Sequence, residues 1–263
     1  MIMEENTLFN EMFNELFPVL KRVSVSGDVA VTLGGSHGKG FADIGSDYDI
    51  CIYCEEISEQ ETLRLAFGEI NALSEKWRER GVIIDGPWVR TYADIDTQIN
   101  LWLSGMGAAV PVVWSIWGYH ILTNISNQTI LSDPFGRVAG WIERLSVYPE
   151  ALRNAVIKKH TDSLRYWRSD YHYQNKVRRG DVVFLSSITA RLIHDIMQVL
   201  FALNSVYYPG DGANLDYVRG FARKPDDFEG KVTAILLPVE ENGGLAGQYD
   251  NLVKLIDEVL ALV

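Results

Sequence analysis

Asp47 and Asp49 stand two residues apart where the chain enters the β-branched and aromatic run Tyr48 to Tyr53. Residues at this spacing on a strand point to the same face, so both carboxylates look the same way. Two like charges that close are costly unless something positive lies between them. Upstream, Val29 and Val31 alternate with smaller residues, as in a half-buried strand that stops at Gly34-Gly35. Gly34-Gly35-Ser36 then reads as a turn, and successive exposed backbone N–H groups in such a turn make a nest for anions. A phosphate cradle beside a carboxylate pair is the arrangement needed to hold a nucleoside triphosphate with its divalent cations.

The elements that must position these groups follow from periodicity. Leu8, Met12, Phe13, Leu16 and Leu20 have helical spacing, so an amphipathic helix over residues 4–20 leads into the first strand, with Pro18 set to kink or end it. Ser58-Glu59-Gln60-Glu61 is a capping-box pattern that opens a second helix ending near Gly81. Val82-Ile83-Ile84 and the longer run from Trp88 to Leu101 both read as strands, with Asp85 before Gly86-Pro87 as a turn residue. Ser132-Asp133-Pro134 is a helix-start signal. From about residue 149 helical patterns take over, the clearest running from Asp181 to Asn204. Strands first and helices afterwards predict an α+β protein, with a mixed-sheet domain over residues 1–148 and a helical domain over residues 149–263.

Composition narrows the classes. The 263 residues, 47% hydrophobic and 22% charged, fit a soluble globular chain, and no apolar run is read as transmembrane. The first residues lack the basic start and cleavage site of a signal peptide, so the expected location is cytoplasmic and no membrane partner is expected. The net charge of −11, from 24 basic against 35 acidic residues, weakens any proposal of nucleic-acid binding, which runs on phosphate neutralisation. It is compatible with a cationic small molecule. Cys51 and Cys54 form a C-x-x-C inside a strand, where the two thiols point to opposite faces; they read as packing residues.

Gly34-Gly35-Ser36, followed by Asp47-Tyr48-Asp49 eleven positions after the serine, resembles the signature of the nucleotidyltransferase superfamily related to DNA polymerase beta. His37-Gly38-Lys39-Gly40 is similar to the basic residue and glycine that the family carries shortly after its serine. The resemblance covers roughly residues 25–100. It implies Asp47 and Asp49 as catalytic ligands of a two-metal Mg2+ site, ATP as the nucleotide donor, and Gly35, Ser36, His37 and Lys39 around the nucleotide. It also implies a third carboxylate on a later strand. With residues 92–98 read as strand, Asp94 and Asp96 share a face; Asp96 is preferred as the third catalytic and metal-binding carboxylate, with Asp94 the alternative.

The helical half is similar in outline to the substrate domains of bacterial antibiotic nucleotidyltransferases. The resulting expectation is an Mg2+-dependent adenylyltransferase that moves AMP from ATP to the hydroxyl of a small molecule and releases pyrophosphate. By analogy the acceptor is an aminoglycoside or lincosamide and the role antibiotic resistance. The alternatives are nucleotidylation of a protein or RNA, as in toxin–antitoxin systems, and a nucleotide sensor without catalysis.

Overall fold

Met12, Leu16 and Leu20 recur every four residues along helix α1 (Ile2–Leu20), and all three are buried. They face helix α3 (Gln60–Arg78), which contributes Ala66, Ile70 and Trp77 to the same core. Glu15 of α1 ties the pair together, accepting from Lys76 Nζ at 2.6 Å and from the Trp77 indole at 3.2 Å. The structure, a computed structural model, describes residues 2–43, 45–106, 121–210, 214–239 and 243–263. The chain divides into two compact units, Met1–Ile99 with Ile121–Val147, and Asn100–His120 with Tyr148–Val263.

The first unit is built on four strands, β1 (Ala30–Leu33), β2 (Tyr48–Cys54), β3 (Ile84–Thr91) and β4 (Thr129–Ser132), in the order β3-β2-β1-β4. β1 runs antiparallel to β2 and β4, whereas β3 is parallel to β2 and is reached through α3. Parallel neighbours need such a crossover. Val31 and Leu33 with Ile50, Ile52 and Cys54 fill the face packed on α1 and α3. The other face carries Asp49, Cys51 and Tyr53 in alternation. There the Tyr53 hydroxyl accepts from Gln128 Nε2 at 2.8 Å, and its ring stands edge-on to Trp141 at 5.2 Å. Trp141 belongs to helix α6 (Arg137–Leu145), whose start is capped by Asp133 accepting from the amides of Arg137 and Ala139 at 3.0 and 2.9 Å. Both cysteines are buried, and burial pushes each thiol up to about 11, as packing residues should behave.

Three local expectations change. Gly35–Lys39 forms a single helical turn, α2, rather than an open turn. Ser58 does not cap α3: Glu59 holds the cap position, and the Ser58 hydroxyl donates instead to the carbonyl of Arg22 at 3.0 Å. The run from Trp88 to Leu101 is not one strand. β3 passes through Gly86-Pro87 to Thr91, and helix α4 (Tyr92–Leu103) begins at once. Tyr92, Ile95 and Ile99 are buried at helical spacing, and the Asp94 amide donates to Thr91 Oγ1 at 3.2 Å while Thr91 Oγ1 donates back to Asp94 Oδ2 at 2.7 Å.

In the second unit the long helix α9 (Val182–Leu203) is surrounded by residues of α7 (Glu150–Ser169), α8 (Tyr171–Arg179), α11 (Phe228–Leu236) and α12 (Gly244–Leu260). Asp181 caps α9 by accepting from the Phe184 amide. By length and composition α9 could cross a membrane, against the expectation that no apolar run is long enough. In the structure it is the central helix of this core, with Leu192, Ile196, Val199 and Leu200 buried. Its buried Asp195 accepts from Ser163 Oγ at 2.7 Å and lies 2.6 Å from His160 Nδ1.

Candidate active site

The site forms where β1 ends and β2 begins. The Gly34 amide donates to the Asp49 carbonyl at 2.9 Å, extending the β1–β2 ladder by one residue. Gly35 then turns at φ +56°, and the Asp49 carboxylate lies against it: a Cβ there would sit 1.5 Å from Oδ2 and 2.4 Å from Cγ. Only glycine leaves room for that carboxylate and accepts the left-handed backbone without strain. The first amides of α2, at Gly35, Ser36 and His37, have no intrahelical carbonyl to bond and so are donors for a ligand. Thus the structure brings Gly35 and Asp49 into contact, with Asp47 one residue before the strand.

Charge is crowded here. Burial raises the Asp49 carboxyl to about 6, with Asp47 and Asp85 adding to the rise and Lys39 and His37 partly opposing it. Asp85 therefore adds to the charge around Asp49, and it lies in a strand, not in a turn. It sits in β3 directly opposite Asp49 in the parallel register, which sends both side chains to the same face. His37 stacks on Tyr48 with ring centroids 4.2 Å apart, and Tyr48 in turn stacks on Phe9 of α1 at 4.8 Å. The Nε2 of His37 is buried with no hydrogen-bond partner among the described residues. That orphaned atom is a polar group in want of a ligand.

Asp94 and Asp96, expected as third carboxylates, lie elsewhere. Both are on α4, not on a strand. Asp94 is the helix-start acid bonded to Thr91. Asp96 accepts from the Trp141 indole at 2.8 Å and is paired with Arg144 and Arg137 at 3.4 and 3.8 Å. The charges that act most on the Asp49 carboxyl are those of Asp47, Asp85, Lys39 and His37, whereas Asp96 ties α4 to α6 through its Trp141 and arginine contacts.

Among the described residues no three His, Cys, Asp or Glu side chains close into a metal cage. The donor set nevertheless fits Mg2+. Asp47 and Asp85 both press their charge on Asp49, the burial of Asp49 leaves negative charge poorly solvated, and Mg2+ is characteristically shared between one or two carboxylates and substrate phosphates. Sequence reasoning missed Asp85, although Val82-Ile83-Ile84-Asp85 is itself an apolar run ending in an acid.

No curated protein matches the chain. Residues 114–212 match the model of a domain of unknown function, DUF4037. Residues 15–100, which contain α2, Asp47, Asp49 and Asp85, match the model of the nucleotidyltransferase domain. The glycine turn and the carboxylates around Asp49 all lie inside that match, so residues 15–100 are similar to the nucleotidyltransferase domain.

Proposed function

We propose that the protein transfers AMP from ATP to a hydroxyl of a small molecule and releases pyrophosphate in an Mg2+-dependent reaction. The observation that carries this reading is the Asp49 carboxylate pressed against Gly35, with Asp47 and Asp85 crowding it. A pure binding module gains nothing from charges set together at such cost.

Bound divalent cations would neutralise the carboxylates and the charge that develops on the phosphates. The chain's own groups do the positioning. The first amides of α2 and the Ser36 hydroxyl hold the phosphates, Lys39 offsets the charge of the leaving pyrophosphate, and His37 uses its orphaned Nε2 toward the nucleotide. The acceptor oxygen forms a bond to the α-phosphorus as the bond to the pyrophosphate oxygen breaks. The hydroxyl proton passes to Asp85, the carboxylate on the opposite side of β2 from α2.

The test is Mg2+–ATP-dependent pyrophosphate release across a panel of hydroxylated acceptors, including aminoglycosides, lincosamides, amino sugars and sugar acids. A wild-type protein that binds Mg2+–ATP and loses that binding in Asp49→Asn supports the donor site. Radiolabelling of a co-purified protein or RNA by ATP, with silence across the panel, overturns the small-molecule acceptor.

A further inference from the structure

In-line transfer fixes where the acceptor must stand. The attacking hydroxyl approaches the α-phosphorus from the side opposite the leaving pyrophosphate. The sheet order β3-β2-β1-β4 spreads the site along one line: the glycine turn follows β1, Asp47 immediately precedes β2, Asp49 lies at the start of β2, and Asp85 belongs to β3. With the phosphates at the β1 side, the acceptor lies over β3.

The register shows what β3 offers there. A bulge at Gly86-Pro87 resets the pairing so that Asp85 opposes Asp49, Trp88 opposes Cys51 and Arg90 opposes Tyr53. Asp49, Cys51 and Tyr53 share one face of β2, so Asp85, Trp88 and Arg90 share the same face of β3. Without the bulge, Trp88 and Arg90 would point to the α1–α3 side. Trp88 is 40% exposed. Arg90 is half-buried on the face that carries Asp49, and its guanidinium forms no ion pair with any described residue. A half-buried arginine without a carboxylate is an anchor for an anion or for paired oxygens.

We propose, building on the transfer reading above, that Trp88 and Arg90 are the acceptor subsite, and that the acceptor is a ring-bearing hydroxylated molecule with an acidic substituent. The ring lies on the Trp88 indole, and the carboxylate or phosphate takes the Arg90 fork. Its hydroxyl then reaches Asp85, three residues before Trp88 on the same strand face. This reverses the expectation drawn from the net charge of −11, because the acid excess is a property of the whole surface and the acceptor side of β3 presents a cation.

The experiment compares glucuronate, glucose and glucosamine as probes of Mg2+–ATP-dependent pyrophosphate release, for the wild-type chain, Trp88→Ala and Arg90→Gln. Glucuronate should stimulate release most. Arg90→Gln should erase that preference, and Trp88→Ala should raise the KM for glucuronate by about tenfold or more. Mg2+–ATP affinity, measured separately by calorimetry, should stay within about twofold in both variants. Glucosamine equal to or better than glucuronate overturns the proposal, as does no stimulation by glucuronate, or a loss confined to ATP affinity. Failure of the transfer reading itself looks different: the wild-type chain would then bind no Mg2+–ATP, or Asp49→Asn would bind it as well as wild type.

Discussion

Gly35→Ala separates the two demands made on that residue. The first is backbone: at φ +56° an alanine costs roughly 1–2 kcal/mol relative to glycine. The second is space. The new Cβ would meet Asp49 Oδ2 at 1.5 Å, so the oxygen must retreat by about 2 Å to reach an ordinary contact of about 3.5 Å. Asp49 Cβ is itself 3.2 Å away, which leaves rotation of the carboxylate out of the site as the main escape. Gly40 supplies the control. It turns at φ +74°, but a Cβ there would have nothing within 4 Å, so Gly40→Ala bears the backbone cost alone. Both variants should therefore lower the apo melting temperature by a few degrees, about 2–4 °C per kcal/mol for a domain of this size. Only Gly35→Ala should lose pyrophosphate release, by about 10²-fold, since a shift of about 1 Å in a reacting group already costs that much. Thermal melts and Mg2+–ATP turnover on the two variants side by side are the assay. Equal activities would mean that the Asp49 carboxylate is not a working group where the structure puts it.

Asp49→Asn should be more stable than wild type at neutral pH without Mg2+, by about 1–2 kcal/mol after allowing for solvent screening, because burial and two neighbouring carboxylates oppose its charge; it should also abolish transfer, and a lower apo melting point would contradict the crowding. Asp85→Asn should cost about 10²–10⁴ in turnover if that carboxylate takes the proton, whereas Asp96→Asn should lower stability through its Trp141 and arginine contacts and leave turnover within severalfold; the reverse ranking would restore Asp96 to the chemistry. His194 is held near 4, below its ordinary 6.5, mainly by burial and next by His160. Its contribution to stability is therefore complete above about pH 6.5 and is lost as the pH falls toward 4, by up to about 3 kcal/mol. His194→Phe should flatten the acid limb of a pH-dependent denaturation series, and an unchanged limb would rule His194 out as its source.

The parts of the candidate site that stand out in the sequence are local. A glycine pair ending a strand and two acids two residues apart are visible whatever packs around them, although the glycines open a helical turn and only Asp49 of the two acids lies in the strand, and the stripes of α1 and α9 are equally local. The third carboxylate was not local. Tyr92, Asp94, Asp96 and Gln98 fit a period of two, while Ile95 and Ile99 stand four apart; what decides for helix is that Tyr92, Ile95 and Ile99 all find the core. The signal that could have tipped it is Thr91 with Asp94 three residues on, the helix-start pair that the structure forms. Gly86-Pro87 misled for a related reason. Proline normally ends a strand, but β3 is at the edge of its sheet, where a bulge takes up the dipeptide and the strand resumes. Nothing within ten residues of Asp85 says which strand will lie beside it.

That pairing also creates a charge crowding that the fold itself does not require. The β2–α3–β3 crossover makes β3 parallel to β2, and the register sets Asp85 opposite Asp49. A lysine or threonine at position 85 would satisfy the same register and remove one source of repulsion from a carboxyl already raised to about 6. The fold therefore carries a cost that packing does not require. The cost is local, since Arg137 and Arg144 lie in the same unit and neutralise Asp96 instead. Cations are thus at hand in this unit, and the carboxylate left crowded, Asp49, is the one that lies against the glycine turn. On the transfer reading proposed above, a divalent cation arriving with a triphosphate would relieve that repulsion, so the same residues that weaken the apo protein would strengthen its hold on the donor.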